Sequence, residues 1–444
     1  MPGPRVTTVH GDETLPSHVE VVVIGGGIIG ASAALELAER GHSVALCEKG
    51  GIGQEQSSRN WGWVRISRRD PRELALMASS IEIWRGLDAR LGRATGYTRA
   101  GILFACENAE RYAEHQRACA QLAPFDVGAK MVSGGELDRL LPSGHRMALE
   151  GALYTPGDGR AEPQWAAPAI AEGARERGAA VLTECAVRGI ERTAGRIGAV
   201  VTERGRIGCD AVVLAGGAWS GLFCASLGLR LPQLKVINSV LRTAPLEGGP
   251  EAALWSEDFA LRRRADGGYS VASGHANIAD IVPDSFRYAR DFSAALRQEW
   301  RSLSLRLGWR FLDELRLPRR WALDEASPFE YCRTLDPHPS KRQLDRAFSR
   351  LVEAFPLFGR AQVAQRWAGC IDVTPDAVPV ISPVDDVPGL HIATGFSGHG
   401  FGIGPGAGRL VADLVVGATP LVDPSPFRFS RFSDGSRPEP IGGF

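Results

Sequence analysis

No stretch of this 444-residue chain approaches the roughly 18 uninterrupted apolar residues of a membrane-spanning helix. Residues 1–20 mix proline, glycine, histidine and acids, without the apolar core of a signal peptide, and residues 1–17 read as a loose tail. An excess of charge is missing too. The 51 basic residues face 51 acidic ones, so nothing draws the protein electrostatically to nucleic acid or to an acidic membrane. The eight cysteines (47, 106, 119, 185, 209, 224, 332 and 370) form no C-x-x-C pair, and the nine histidines no H-x-x-x-H pair. That argues against a disulfide framework and a metal site, and a reducing cytoplasm is the simplest home. What remains is the composition of a soluble globular enzyme, 44% hydrophobic and 23% charged, long enough for two or three domains.

Glycine is abundant, at 53 residues, and its most ordered use lies near the start. Residues 21–24 read as a buried parallel strand. Gly25, Gly27 and Gly30 follow in G-x-G-x-x-G spacing, and a small-residue helix opens with Ile28 and Ile29. A tight turn at Gly25, a bare backbone at Gly27 and close packing at Gly30 leave helix N–H groups facing a pyrophosphate. A second strand, 43–47, ends at Glu48, where an acid accepts ribose hydroxyls, with Lys49 beside it. The glycine spacing alone is a weak signal. Strand, helix and acid together specify a dinucleotide site.

The pattern of strand, glycine turn and helix returns twice. Residues 211–214 run into Ala215, Gly216, Gly217 and Trp219. Residues 390–394 run into Gly395, Gly398, His399, Gly400, Phe401 and Gly402, with a helix expected over 409–416. Three such sites suit a long cofactor held at both ends, which favours FAD over a nicotinamide. Between Lys49 and Asp70 lies a donor-rich loop. Ser57, Ser58 and Arg59 read as a cap aimed at the pyrophosphate, and Trp61, Trp63 and Arg65, with Gly62 among them, as a strip along a flat aromatic ring. The expected fold is α/β (α+β). A Rossmann-like FAD domain takes residues 18–96, 151–228 and 361–432. An inserted antiparallel β-sheet substrate domain takes 97–150 and 229–360, with helices in its later part, and 433–444 form a second tail.

At these residues the chain resembles the FAD-dependent oxidoreductases of the D-amino-acid oxidase superfamily. Thr374-Pro375-Asp376 and Gly395-Phe396-Ser397-Gly398-His399-Gly400-Phe401 are similar to sarcosine and N-methyl amino acid oxidases. A longer similarity, over nearly the whole chain, runs to bacterial L-amino acid deaminases. It includes Glu55-Gln56-Ser57, Ala186-Val187-Arg188-Gly189, Trp321 with Leu323-Asp324-Glu325, and Arg431-Phe432. The resemblance implies noncovalent FAD, contacts from Gln56, Val187 and Gly369, and a helical insertion near 284–345. The cysteine that carries flavin in sarcosine-type enzymes aligns at Gly369, one place before Cys370. The resemblance also implies that Arg65, in Arg65-Ile66-Ser67-Arg68, lies by the flavin and that Arg68 holds the substrate carboxylate. Elsewhere the chain departs. The deaminases' carboxylate-binding arginine falls at about Gly274 and their active-site glutamine at about Trp63. Two lysines of the sarcosine type fall near Ala272 and at Gly402, and the deaminases' membrane anchor has no counterpart.

The reaction implied is oxidation of the amine carbon of an amino acid or N-substituted amino acid. The imine formed is hydrolysed, and electrons pass to oxygen, a quinone or a protein acceptor. A flavin-bound scaffold or redox sensor without turnover is the alternative of another class. Arg68 suits a carboxylate bidentately, and Arg65 suits the ring end. His275 stands beside Gly274, His399 in the cofactor turn, and Trp63 can wall the pocket. Arg333 and Asp372 read as structural. No metal, nucleic acid or membrane span is expected.

Overall fold

The computed structural model describes residues 3–300 and 303–441. Two large sheets organise them. The first runs in the order Val380–Pro383, Leu390–Thr394, Gly205–Leu214, His18–Ile24, Val44–Cys47, Ala180–Leu182. All neighbours but the first pair are parallel, and Val187–Thr193 and Arg196–Thr202 join Gly205–Leu214 as an antiparallel meander. Its strands are apolar on both faces because both are covered. Val21 and Val23 pack against the helices Ile28–Glu39, Leu74–Leu91, Pro163–Glu176 and Gly400–Val416, while Val22 and Ile24 face the meander and Phe223.

The second sheet is built on Leu234–Thr243. Val363–Val373 pairs with its whole length on one side, and Tyr269–Ala272 and Asn277–Asp280 share the other. The ladder continues through Ala260–Arg263, Ala253–Trp255, Ile102–Cys106 and Gly151–Thr155 to Lys130–Val132. Two pairings are parallel, so the sheet is mixed rather than wholly antiparallel as the sequence suggests. The helices Pro283–Arg287, Ser293–Glu299 and Trp309–Arg316 form the insertion, and residues 301–302 within it lie outside the described residues.

Several expected boundaries need correction. Residues 151–155 and 363–373 belong to the second sheet, not to the FAD domain, since their whole ladders run there. The helix expected over 409–416 starts at Gly400. Residues 3–17 are not a loose tail. Thr7 N–H donates to Gln164 O at 3.1 Å, Asp12 exchanges bonds with Val181, and Gln365 donates to Gly3 O at 3.2 Å. Met1 and Pro2 lie outside the described residues. At the other end Arg428 bonds Asp434, and Glu439 and Pro440 accept from Arg72 and Gln298, so residues 433–441 are also tied down. Among the described residues no helix is long and apolar enough to cross a membrane.

Candidate active site

A cavity of about 940 Å³ runs from the carboxyl ends of the parallel strands to the face of the second sheet. The strand His18–Ile24 ends at Gly25, whose φ of 107° and whose side-chain position, 2.4 Å from the Ala215 oxygen, admit only glycine. Ile28 N–H, at the start of the helix, donates to Ser57 Oγ at 2.8 Å. The Glu48 carboxylate closes the next strand, accepting from Gly26 and Gly50 N–H at 2.7 and 2.8 Å, and burial raises its pKa. Lys49 lies 4.7 Å from the Trp219 ring and bonds Glu55, which also accepts from Trp219 Nε1. Gln56 Oε1 accepts from Asp372 N–H at 3.2 Å, which ties the 55–60 loop to the second sheet.

Of the cofactor residues expected from the sequence, all line this cavity except Gly30, Ser58, Gly62 and Gly395. Gly30 packs beneath the turn, where a Cβ would lie 1.9 Å from Gly25 O. Ser58 is fully buried and turns back to Glu55 O. Gly62 backs onto Ala161 and the Arg262 guanidinium, and Gly395 donates inward to Asp372 at 2.7 Å. Arg59 reaches the cavity wall, but its guanidinium bonds Asp336 and the Ala368 carbonyl, so it braces the loop instead of capping it. Arg333 and Asp372 also line the cavity, although Arg333 pairs with Glu203 and Asp372 bonds inward to Gln233 and Thr394.

The far half of the cavity has an aromatic wall. Trp61 meets Trp63 at 5.1 Å, Trp63 meets Phe104 at 6.1 Å, Phe104 meets Trp255 at 5.9 Å, and Trp255 meets His275 at 4.9 Å. Trp61 Nε1 donates to Asn238, which in turn donates to Asn277. Among the described residues the indole N–H of Trp63 is buried without a hydrogen-bond partner, as is Nδ1 of His399, which lies 4.0 Å from the Glu73 carboxylate, and both residues line the cavity. Arg65 lies over Phe104 at 5.6 Å. It donates to the carbonyls of Ser67 and Arg68 and to His399 Nε2 at 3.3 Å. Burial, then Arg65 and Arg69, hold His399 well below the usual histidine pKa, so its ring is neutral and Nε2 accepts. Burial, then Arg111, also lowers His275.

Arg68 is brought to the same cavity, but it is already paired, with Glu114 at 2.5 Å. Burial alone would raise the Glu114 carboxyl; Arg68 and Arg111 overcome that and hold it down to about 2. Arg68 itself adopts a φ of 56°, in the left-handed region. The bend is fixed from behind by Asp158, fully buried, which accepts from Ile66 N–H at 2.7 Å and from the Ser67 hydroxyl. At Gly274 no side chain has room, since a Cβ would lie 2.2 Å from Ser256 O. Phe104, Arg111, Glu114, Asp158, Asn238, Trp255 and Glu257 escape the sequence reading. Only Asp158, in a Gly157-Asp158-Gly159 turn, carries a local signal.

The unpartnered indole N–H, the bare glycine turn and the helix Gly400–Val416 opening onto the cavity fit a dinucleotide with a flat ring system. Fold and cavity together define a two-domain flavin-type oxidoreductase. The chain belongs to the FAD dependent oxidoreductase (DAO) family, whose model matches residues 20–414, and FAD is its cofactor. It is similar to the L-amino acid deaminase from Proteus myxofaciens, solved in complex with anthranilate, at 34% identity and a TM-score of 0.93 over 97% of each chain. The deaminase from Proteus vulgaris is 31% identical with a TM-score of 0.92, over 96% of this chain and 100% of that one. The 4-methylaminobutanoate oxidase (formaldehyde-forming) of Paenarthrobacter nicotinovorans is 25% identical over 435 residues, 96% of this chain and 47% of that protein. The chain spans less than half the length of the first curated relatives it matches.

Proposed function

We propose that this protein oxidises the C–N bond of an amino acid or N-substituted amino acid to an imine. Water then hydrolyses the imine to an oxo acid or aldehyde plus ammonia or amine. The observation that carries this reading is Arg65, a guanidinium in the cavity wall whose hydrogen bonds among the described residues go to carbonyl oxygens and a neutral histidine. Burial and the neighbouring Arg69 outweigh the fields of Asp158 and Glu73 and lower the Arg65 pKa to about 9, so an anionic substrate in direct contact would stabilise its charge. FAD, when bound, supplies the hydride acceptor.

The chain's own residues orient and shield. Arg65 and Arg68 take the carboxylate, and the strip from Trp61 to Trp255 excludes water from the reacting carbon. The Trp63 N–H and the positive end of the helix Gly400–Val416 offer donors to negative charge developing at the ring end. Cys370 lines the cavity, but burial raises its thiol pKa, which disfavours the reactive thiolate and supports a noncovalent cofactor. Eight free cysteines support a reducing cytoplasm as the compartment.

The test is anaerobic bleaching of the flavin by L- and D-amino acids, sarcosine, proline, iminodiacids and polyamines. At least one carboxylate-bearing amine should bleach it, and bleaching by none rejects the reading. Arg65→Ala should retain FAD and raise KM for that substrate by about 10- to 100-fold, and an unchanged KM removes its role. Peroxide released in air would mark oxygen as acceptor; a requirement for added quinone would mark a dehydrogenase.

A further inference from the structure

The wall of the cavity carries a chain of four charges, of which the reading above uses only Arg68. Glu114 meets Arg68 with one oxygen at 2.5 Å and Arg111 with the other at 2.6 Å, and Arg111 meets Glu257 at 2.6 Å. All four side chains line the cavity. Arg68 is the fixed member. Its backbone is locked by the Asp158 bonds, and its carbonyl accepts from Arg65 at 2.9 Å. Glu114 is the movable member. It stands on the helix Ala109–Gln121, one turn from Arg111 on that same helix, so it can release Arg68 and still keep a partner. An anion tethered beside its cation competes at high effective concentration with any anion arriving from solution.

We propose that Glu114 determines substrate specificity: it occupies the carboxylate seat on Arg68 until substrate displaces it, and then forms with Glu257 an acidic wall that rejects a second carboxylate. This rests on the reading of the cavity as an amino-acid-oxidising site. With a substrate carboxylate on Arg68, one cation, Arg111, faces two carboxylates, Glu114 and Glu257. A neutral or cationic side chain meets that wall without repulsion, whereas an acidic one meets like charge. The substrate class is therefore monocarboxylic.

The test uses holoenzyme titrated with benzoate and with isophthalate (benzene-1,3-dicarboxylate), followed by calorimetry and by the flavin spectrum. Glu114→Gln should lower the benzoate Kd about tenfold and shrink the preference for benzoate over isophthalate by a similar factor. Glu114→Asp, too short to span to Arg68 but still charged beside Arg111, should tighten benzoate and keep the preference. If neither variant tightens benzoate, the proposal is overturned. Arg68→Ala separates the two levels. If it leaves benzoate binding unchanged, Arg68 is no carboxylate seat and the underlying reading fails with it. If it weakens benzoate while both Glu114 variants leave the Kd where it was, the role of Glu114 alone is wrong.

Discussion

Asp158 shows what one buried carboxylate does to a functional loop. Burial pushes its pKa up to about 6, against the opposing bonds from Ser67 and Ile66 and the nearby Arg65. Arg69 and Tyr97 also lie within its field. Because the folded value lies above the ordinary one, protonation stabilises the fold as pH falls through about 6, so acid does not unfold the protein at this residue. Binding goes the other way, since the protonated acid is a poorer acceptor for the two amides that set the bend at Arg68. Carboxylate affinity should fall as pH drops through about 6. Asp158→Asn should raise the benzoate Kd about tenfold at pH 8 and remove that pH limb, as followed by flavin spectral titration. Residues of the local kind were legible in the sequence. Gly25 and Glu48 sit at near-fixed offsets within one strand–turn–helix–strand unit, and Ser57 follows in the donor-rich loop after it. Glu114 and Glu257 were not, because only the second sheet brings the helix Ala109–Gln121 beside residue 257, across 143 positions of chain.

The helix Gly400–Val416 is the element where local preference and tertiary packing disagree most. Glycines at 400, 402, 404, 406 and 408 and Pro405 all argue against a helix, each glycine by about 1 kcal/mol relative to alanine, so the sequence reading begins it nine residues late. Packing reverses the decision. A Cβ at Gly408 would lie 2.3 Å from the Ser32 Cβ, so glycine is what lets this helix lie against Ile28–Glu39. The Pro405 interruption is repaired from the helix Leu74–Leu91. Ser80 Oγ and Trp84 Nε1 donate to Gly402 O at 2.8 and 2.7 Å, and Gly406 N–H donates to Ser80 Oγ. Ser80→Ala leaves a buried N–H unpaired and should cost about 1–3 kcal/mol in denaturant unfolding. A cost below about 0.5 kcal/mol would show that the helix supports itself.

Across the whole molecule the two sheets are tied by a buried pair, Glu162 from the start of the helix Pro163–Glu176 and Arg262 from the second sheet, 2.7 Å apart and both under 5% exposed. Arg262 also bonds Ala161 O and lies against Gly62, so this pair braces the loop that carries Trp61 and Trp63. Glu162→Gln leaves a buried guanidinium short of its counter-charge and should cost about 3–5 kcal/mol, read as a lowered Tm with earlier release of FAD. That the chain builds two sheets was legible from the sequence, but which strands join each was not. Residues 151–155 and 363–373 alternate like any strand, and alternation does not say which sheet a strand joins. The closed site at Gly274 constrains what substitution can do to the cavity. An arginine there does not fit the present backbone, because its Cβ would lie 2.2 Å from the Ser256 carbonyl oxygen and 2.8 Å from that of Glu257. The backbone turn would have to move first, and that turn carries Glu257 of the acidic wall. Gaining a side chain at Gly274 is therefore coupled to the acidic wall: whatever makes room for it also moves Glu257.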